Sequence, residues 1–347
     1  MGNLLWDDIL AQPANLANVV NHLYGEERSR LEAAVRFFQN DRPIAFVGVA
    51  SAAYLCYPAV TYLCEHGRFA VVIDAADALY THLPALKGAN VIVNTRSGKT
   101  AEIVKLGEAL QANHIPFAAI TNEPESPLAK MATRVVWSNT RKDDLVSINV
   151  VTGMMTTTLA LAAAILGELD AFREAFEILP AQMDSVLTES VQRGMEFRES
   201  FENVRPIHLL YRGALKGAAY NGRLVLEEIA RTPAVPVEAA EFRQGPNEVV
   251  DKHFGAVVFV PGGRPGALNR SLVDDIRGTG GAALAIGDVD DSFSLTIQGV
   301  PDELLSILAV VPVQVLAYQL AERQGYAPGK TRYITKVIVS EEGIPNQ

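Results

Sequence analysis

The chain has 347 residues, 49% of them hydrophobic, and a formal net charge of −10. That length exceeds one ordinary domain and sets two domains as the starting expectation. The acidic balance counts against a nucleic-acid partner, which calls for a basic face, but leaves room for a local basic pocket around an anionic small molecule.

In chain order, residues 1–40 read as a helical arm. The run Pro43-Ile44-Ala45-Phe46-Val47-Gly48-Val49 is a short buried strand, followed by a helix over 52–66. Further strands are expected at 70–73, 89–94, 117–120 and 134–137, with a helix over 100–113 and a long helix over 147–166. Continuous apolar strands between helices indicate a parallel sheet covered on both faces. Residues 170–201 read as a helical linker, after which the pattern repeats. Arg42-Pro43-Ile44 has a counterpart in Arg205-Pro206-Ile207, and a strand over 207–211 leads to a helix over 218–231. The strands 256–260 and 282–286 match 89–94 and 117–120, and a second long apolar helix over 304–322 matches the first. The expected fold is α/β: two copies of one domain, 41–169 and 202–347, each a parallel sheet of about five strands flanked by helices, related by a pseudo-twofold axis.

Cys56 and Cys64 fall on one expected helix, which would hold them roughly 12 Å apart, too far for a disulfide. A reduced, cytoplasmic compartment is the expectation. Residues 1–12 are acidic and lack the basic and apolar regions of a signal peptide. Apolar stretches such as 307–317 contain Pro312 and Gln314 and are too short to span a bilayer, so no membrane partner is expected. The apolarity of this second long helix predicts a homodimer or higher homo-oligomer.

The two halves differ after their third strands. The first has Thr95-Arg96-Ser97-Gly98-Lys99-Thr100; the second has Pro261-Gly262-Gly263-Arg264-Pro265, without a hydroxyl. Ligands of open α/β sheets sit at the carboxyl ends of strands, and a helix N-terminus suits an anion. Ser97 and Thr100 can hydrogen-bond phosphate oxygens, Gly98 lets the backbone come close, and Arg96 or Lys99 adds charge. A second hydroxyl turn, Gly48-Val49-Ala50-Ser51, follows the first strand. One phosphate site per chain is the expectation. GxxxxGK[ST] is absent, so this is not a P-loop.

A strand, a GxxS turn, a strand and then [ST]xSGxT resembles the SIS (sugar isomerase) domain, most nearly its tandem form, as in the isomerase half of glucosamine-6-phosphate synthase and in fructosamine-6-phosphate deglycases. Leu226-Glu227-Glu228-Ile229-Ala230 with Glu241-Phe242-Arg243-Gln244-Gly245-Pro246 is similar to a family block ending in HGP. Tyr333-Ile334-Thr335-Lys336 resembles the tail that brings a lysine to the site. The resemblance implies a phosphorylated sugar bound by Ser51, Thr95, Arg96, Ser97, Gly98 and Thr100. It implies Glu228 as the carboxylate that moves a proton between C1 and C2, and Lys336 as a group that stabilises the oxyanion.

Gln244 replaces the family histidine, and glutamine can orient but cannot exchange a proton near pH 7. Either the substrate arrives open-chain, another group does the acid work, or the activity differs. The histidines are scattered, with no HxxxH or CxxC spacing, so no metal is expected; no GxGxxG follows a strand, so no cofactor is expected either. The favoured expectation is a deglycase that cleaves an Amadori-type sugar 6-phosphate adduct to hexose phosphate and amine, because no ammonia-supplying glutaminase segment is present. The alternatives are an aldose–ketose isomerase of an (amino)sugar phosphate and a non-catalytic sugar-phosphate sensor.

Overall fold

The computed structural model describes residues 3–38, 40–333 and 338. Its contacts group the chain into two compact units. The first comprises Ala14–Pro180 with the described residues from Thr331 on; the second comprises Ala181–Lys330 with those up to Pro13. Residues of the expected N-terminal arm fall in both units, and the helix Arg173–Phe201 spans the division, with Pro180 inside it.

In the first unit, β1 (Ile44–Gly48), β2 (Ala70–Asp74), β3 (Asn90–Thr95), β4 (Phe117–Thr121) and β5 (Arg134–Trp137) form one sheet in the order β2-β1-β3-β4-β5. All its pairings are parallel. β1, β3 and β4 are buried at every residue, as a sheet covered on both faces requires. In the second unit, β6 (Ile207–Tyr211), β7 (Ala234–Glu238), β8 (Gly255–Val260), β9 (Ala282–Gly287) and β10 (Ser294–Thr296) run β10-β9-β8-β6-β7, again all parallel. Counted from its own first strand, each sheet is wound 2-1-3-4-5. In such a sheet the strand order reverses between strands 1 and 3, and the crevice at their carboxyl ends is where ligands bind.

Three expectations need correction. The helix expected over 52–66 is two helices, Ser51–Tyr54 and Tyr57–Glu65. Pro58 lacks an N–H and so begins the second rather than continuing the first. Cys56 lies buried in the break while Cys64 is exposed, and both are free thiols. β7 and β10 escaped the sequence. β7 contains Pro236, which removes a ladder donor and is tolerated because β7 is an edge strand; β10 has only three residues. Finally, the apolar stretch around 307–317 belongs to a longer helix, Asp302–Arg323, long and apolar enough by composition to cross a membrane, but 94% of its most apolar window is buried. Its apolar residues find their cover inside the protein, so they supply no argument for a subunit interface.

The first closing helix, Asn149–Ile165, is buried along almost its whole length although it carries four threonines. Thr156, Thr157 and Thr158 donate to the carbonyls of Thr152, Gly153 and Met154 at 2.8, 3.0 and 2.8 Å, so their hydroxyls are satisfied within the helix. Gly153 has no room for a side chain: a Cβ there would lie 2.4 Å from Thr140 Cγ2 and 3.1 Å from Val19 Cγ2.

Candidate functional site

The turn after β3 is shaped by its own side chains. Thr95, buried at the strand end, accepts the Gly98 N–H on Oγ1 at 3.1 Å, and Ser97 Oγ accepts the Lys99 N–H at 3.3 Å. Gly98 sits at φ +61°, and a Cβ there would fall 2.1 Å from Ser126 Oγ. Only glycine meets both conditions. The Gly98 carbonyl accepts the Leu128 N–H at 3.3 Å, which ties the turn to the next one along the sheet edge. Thr100 is the N-cap of the helix Ala101–Ala112, yet its hydroxyl makes no capping bond. The ordinary reason for a threonine at this position is therefore absent. The Ala101 N–H of the same helix donates to the carbonyl of Ile338 at 3.1 Å.

The turn after β1 lies beside it. Asn94, at the end of β3, donates to the Ala52 carbonyl at 2.8 Å, which brings the start of the Ser51–Tyr54 helix against β3. Gly48 has no room for a Cβ, which would lie 2.6 Å from the Ala52 carbonyl carbon. Ala50 is held at φ +48°, ψ −123°, a conformation costing of order 1–3 kcal/mol for a residue with a side chain and found preferentially where a ligand is held. Ser51 follows it, half-buried.

On the other side of the 95–100 turn is a cavity of about 240 Å³, lined among others by Arg96, Ser97, Lys99, Asn122, Lys142 and Asp143. Arg96 reaches across to Ser147 Oγ at 3.0 Å and to the Leu145 carbonyl at 3.4 Å. Lys142 pairs with Glu123 at 2.6 Å. The buried Asp143 accepts the N–H groups of Ile148, Asn149 and Val150 at 2.9, 2.9 and 3.0 Å, and so caps the helix Asn149–Ile165 from outside it. Burial raises its carboxyl above the ordinary range, while these bonds pull the other way. Sequence reasoning missed Asn122, Glu123, Lys142 and Asp143. Asp143 stands too far before its helix to fit a local capping pattern, and Asn122 is a wall residue whose amide is bound to Thr140 on both sides, at 2.9 and 2.8 Å.

The structure brings Ser51 and residues 95–100 together in the first unit. Glu228 and Gln244 belong to the second. Glu228 is half-buried near the end of the helix Lys216–Ile229, and its neighbour Glu227 is paired with Arg223 at 3.1 Å. Gln244 is exposed; its backbone N–H donates to the Glu241 carbonyl at 2.8 Å, and Gly245 follows at φ +132°. Lys336 lies outside the described residues. The turn after β8 has no hydroxyl, and its Gly262 N–H donates to Asp302 Oδ1 at 2.7 Å.

A strand-order switch bordered by two hydroxyl turns is also where a family model finds its match: the SIS domain model covers residues 37–164, that is β1 to β5 and nearly all of the following helix. Residues 37–164 are a SIS domain. Beyond the SIS domain, the chain is similar to the glutamine–fructose-6-phosphate aminotransferase (isomerizing) of Pyrococcus horikoshii, with 24% identity, 96% of this chain and 57% of that protein covered. The protein of the same name from Bradyrhizobium diazoefficiens is 26% identical over 91% of this chain and 55% of its own length. The chain thus spans little more than half the length of these relatives. Among solved structures, the C-terminal domain of glucosamine-fructose-6-phosphate aminotransferase from Francisella tularensis matches with a TM-score of 0.82 at 18% identity, covering 94% of this chain and 97% of that one. Tagatose-6-phosphate ketose/aldose isomerase from Escherichia coli matches at 0.79 and 18%, covering 94% and 95%. At such identities the likeness speaks to the fold, and it extends past the SIS domain to the second sheet.

Proposed function

We propose that the protein is a phosphosugar isomerase-type enzyme that binds a sugar 6-phosphate on the 95–100 turn of its SIS domain and moves a proton between C1 and C2 of that sugar. The observation that carries this reading is the turn itself. It lies at the switch point, it opens a helix whose Thr100 hydroxyl does no capping, and it borders a cavity with Arg96, Lys99 and Lys142 in its walls on a chain of net charge −10. Thr95 and Ser97 each accept a backbone N–H of the turn and keep an O–H of their own; with Thr100 and, from the neighbouring turn, Ser51, they can donate to phosphate oxygens. Glu228 takes the proton from one carbon of the open-chain sugar and returns it to the next through an enediol; in this reading Lys336 stabilises the developing oxyanion. The same winding of both sheets supports a chain built as a duplicated domain in which one copy keeps the phosphate turn.

Deglycation of an Amadori-type 6-phosphate is a second reading that shares the proton-transfer step and ends in release of an amine. Gln244 leaves room for it: it cannot exchange a proton near neutral pH, so a straightforward copy of the family's isomerase chemistry lacks its acid, and in either reading the substrate arrives open-chain or another group opens the ring. Incubation with fructose 6-phosphate and with a phosphorylated Amadori compound separates the two readings by product. For the binding site, the test is Ser97→Ala with Thr100→Ala. Each lost bond to a charged group removes roughly 1.5–3 kcal/mol, so KM for a sugar 6-phosphate should rise on the order of 10²–10⁴-fold. An unchanged KM rejects the site.

A further inference from the structure

We infer that Asp302 is a resident anion: its carboxylate occupies the second unit's copy of the phosphate turn and so limits each chain to one phosphate site. The inference rests on the reading of 95–100 as a phosphate turn. The two turns share their place in the sheet and one backbone feature, although the first helix opens three residues after its glycine and the second opens at it. Each follows the third strand of a sheet wound 2-1-3-4-5. β3 ends at Thr95 and β8 at Val260, and three residues later stand Gly98 and Gly263, both at φ +61°. Each then runs into a long helix, Ala101–Ala112 or Gly263–Gly278.

What differs is the content of the turn. Where the first has hydroxyls, the second has Pro261, with no N–H, and Gly262, whose N–H donates to Asp302 Oδ1 at 2.7 Å. That length fits a charge-assisted bond. The turn is held tightly against the helix it opens, since a Cβ on Gly266 would lie 1.9 Å from the Pro261 carbonyl oxygen. Asp302 is itself the first residue of the helix Asp302–Arg323, so its negative charge lies at the start of one helix and on the turn that opens another, and both helix dipoles favour it there. A phosphate arriving from solution would have to displace a carboxylate tethered to the same chain, whose effective concentration is millimolar or higher, and would meet its charge. Loss of hydroxyls alone would leave a weak anion site; the carboxylate closes it.

Equilibrium dialysis of the full chain against inorganic phosphate, repeated with fructose 6-phosphate, tests this. Wild type should bind one equivalent and Asp302→Ala two. Asp302→Asn should stay at one, because its amide oxygen can keep the Gly262 bond. Asp302→Ala combined with Ser97→Ala and Thr100→Ala should retain only the new site. Asp302→Ser, which keeps a short polar side chain at the start of the helix but no charge, replaces Asp302→Ala if the latter fails to fold. One equivalent in a folded Asp302→Ala or Asp302→Ser variant, or two in wild type, overturns the inference. Binding absent in wild type but gained in Asp302→Ala rejects the 95–100 reading and the limit of one site, and leaves only the occupation of the second turn by Asp302; binding in neither rejects both.

Discussion

Gly98→Ala is expected to damage the first unit far more than an alanine at another left-handed glycine, and the structure gives the size of the difference. Alanine at φ +61° pays about 1–2 kcal/mol for its backbone conformation. Its Cβ would also lie 2.1 Å from Ser126 Oγ and 2.6 Å from Ser126 Cβ, well inside van der Waals contact, so Ser126 must move. Ser126 is buried and caps the helix Pro127–Met131 through the Ala129 N–H at 3.3 Å. Losing that cap costs about 1 kcal/mol, and forcing the side chain aside adds about 1–3 kcal/mol. The total is about 3–6 kcal/mol. Gly67→Ala is the control: φ is +76° but nothing lies within 4 Å of the new methyl, so only the backbone cost of about 1–2 kcal/mol remains. The chain has two tryptophans: Trp137 at the end of β5 in the first unit, and Trp6 in the second. In a Trp6→Phe background, urea unfolding followed by Trp137 fluorescence reads the first unit alone. Equal losses of stability in Gly98→Ala and Gly67→Ala would refute the close approach of Gly98 to Ser126 and, with it, the shape of the turn.

Three further outcomes are expected. Glu228→Gln keeps the shape of the side chain and removes the base, so kcat should fall on the order of 10²–10⁴-fold with KM little changed; Gln244→His should speed turnover of closed-ring substrates and leave open-chain ones alone. Steady-state kinetics on both substrate forms decides, and full activity in Glu228→Gln moves the proton-transfer role elsewhere. His208, stacked 4.6 Å from Phe254, has a buried Nδ1 with no partner among the described residues, and burial lowers its pKa below 6.5. As pH falls below about 6.5 the unfolded chain takes up this proton before the folded one does, so stability present above that pH is lost on acidification. His208→Phe should flatten this slope in urea melts read between neutral pH and pH 5, and an unchanged slope would assign the pH dependence to other groups.

Much of this architecture was legible because it rests on local composition. The strand cores near 44–47, 91–93 and 118–120 are uninterrupted apolar runs between helices, and the 95–100 string sets three hydroxyls, a glycine and two cations at a strand end. Elements were lost where the decisive fact was tertiary. β7 is a strand despite Pro236 because it lies at a sheet edge, and the helix expected over 52–66 broke just before Pro58. Nothing in the sequence singled out Asp143 or Asp302. One closes a helix from several residues outside it, the other closes a turn 40 residues earlier in the chain, and no spacing rule reaches either. The 302–323 helix looked like a surface in search of a partner because its cover comes from chain remote in sequence.

The middle threonines of the helix Asn149–Ile165 offer its neighbours little by which to set its rotation about its own axis: the helix is enclosed along nearly its whole length, and Thr156, Thr157 and Thr158 donate to the carbonyls one turn earlier in the same helix. What distinguishes one azimuth from another is a notch, the absent methyl at Gly153 into which Thr140 and Val19 press. Filling that notch acts like turning a key: the rod must roll or withdraw. Its leading end, residues 148–150, is clasped by Asp143 in the cavity wall. A single carbon added inside the core therefore bears on the rim of a pocket it never touches.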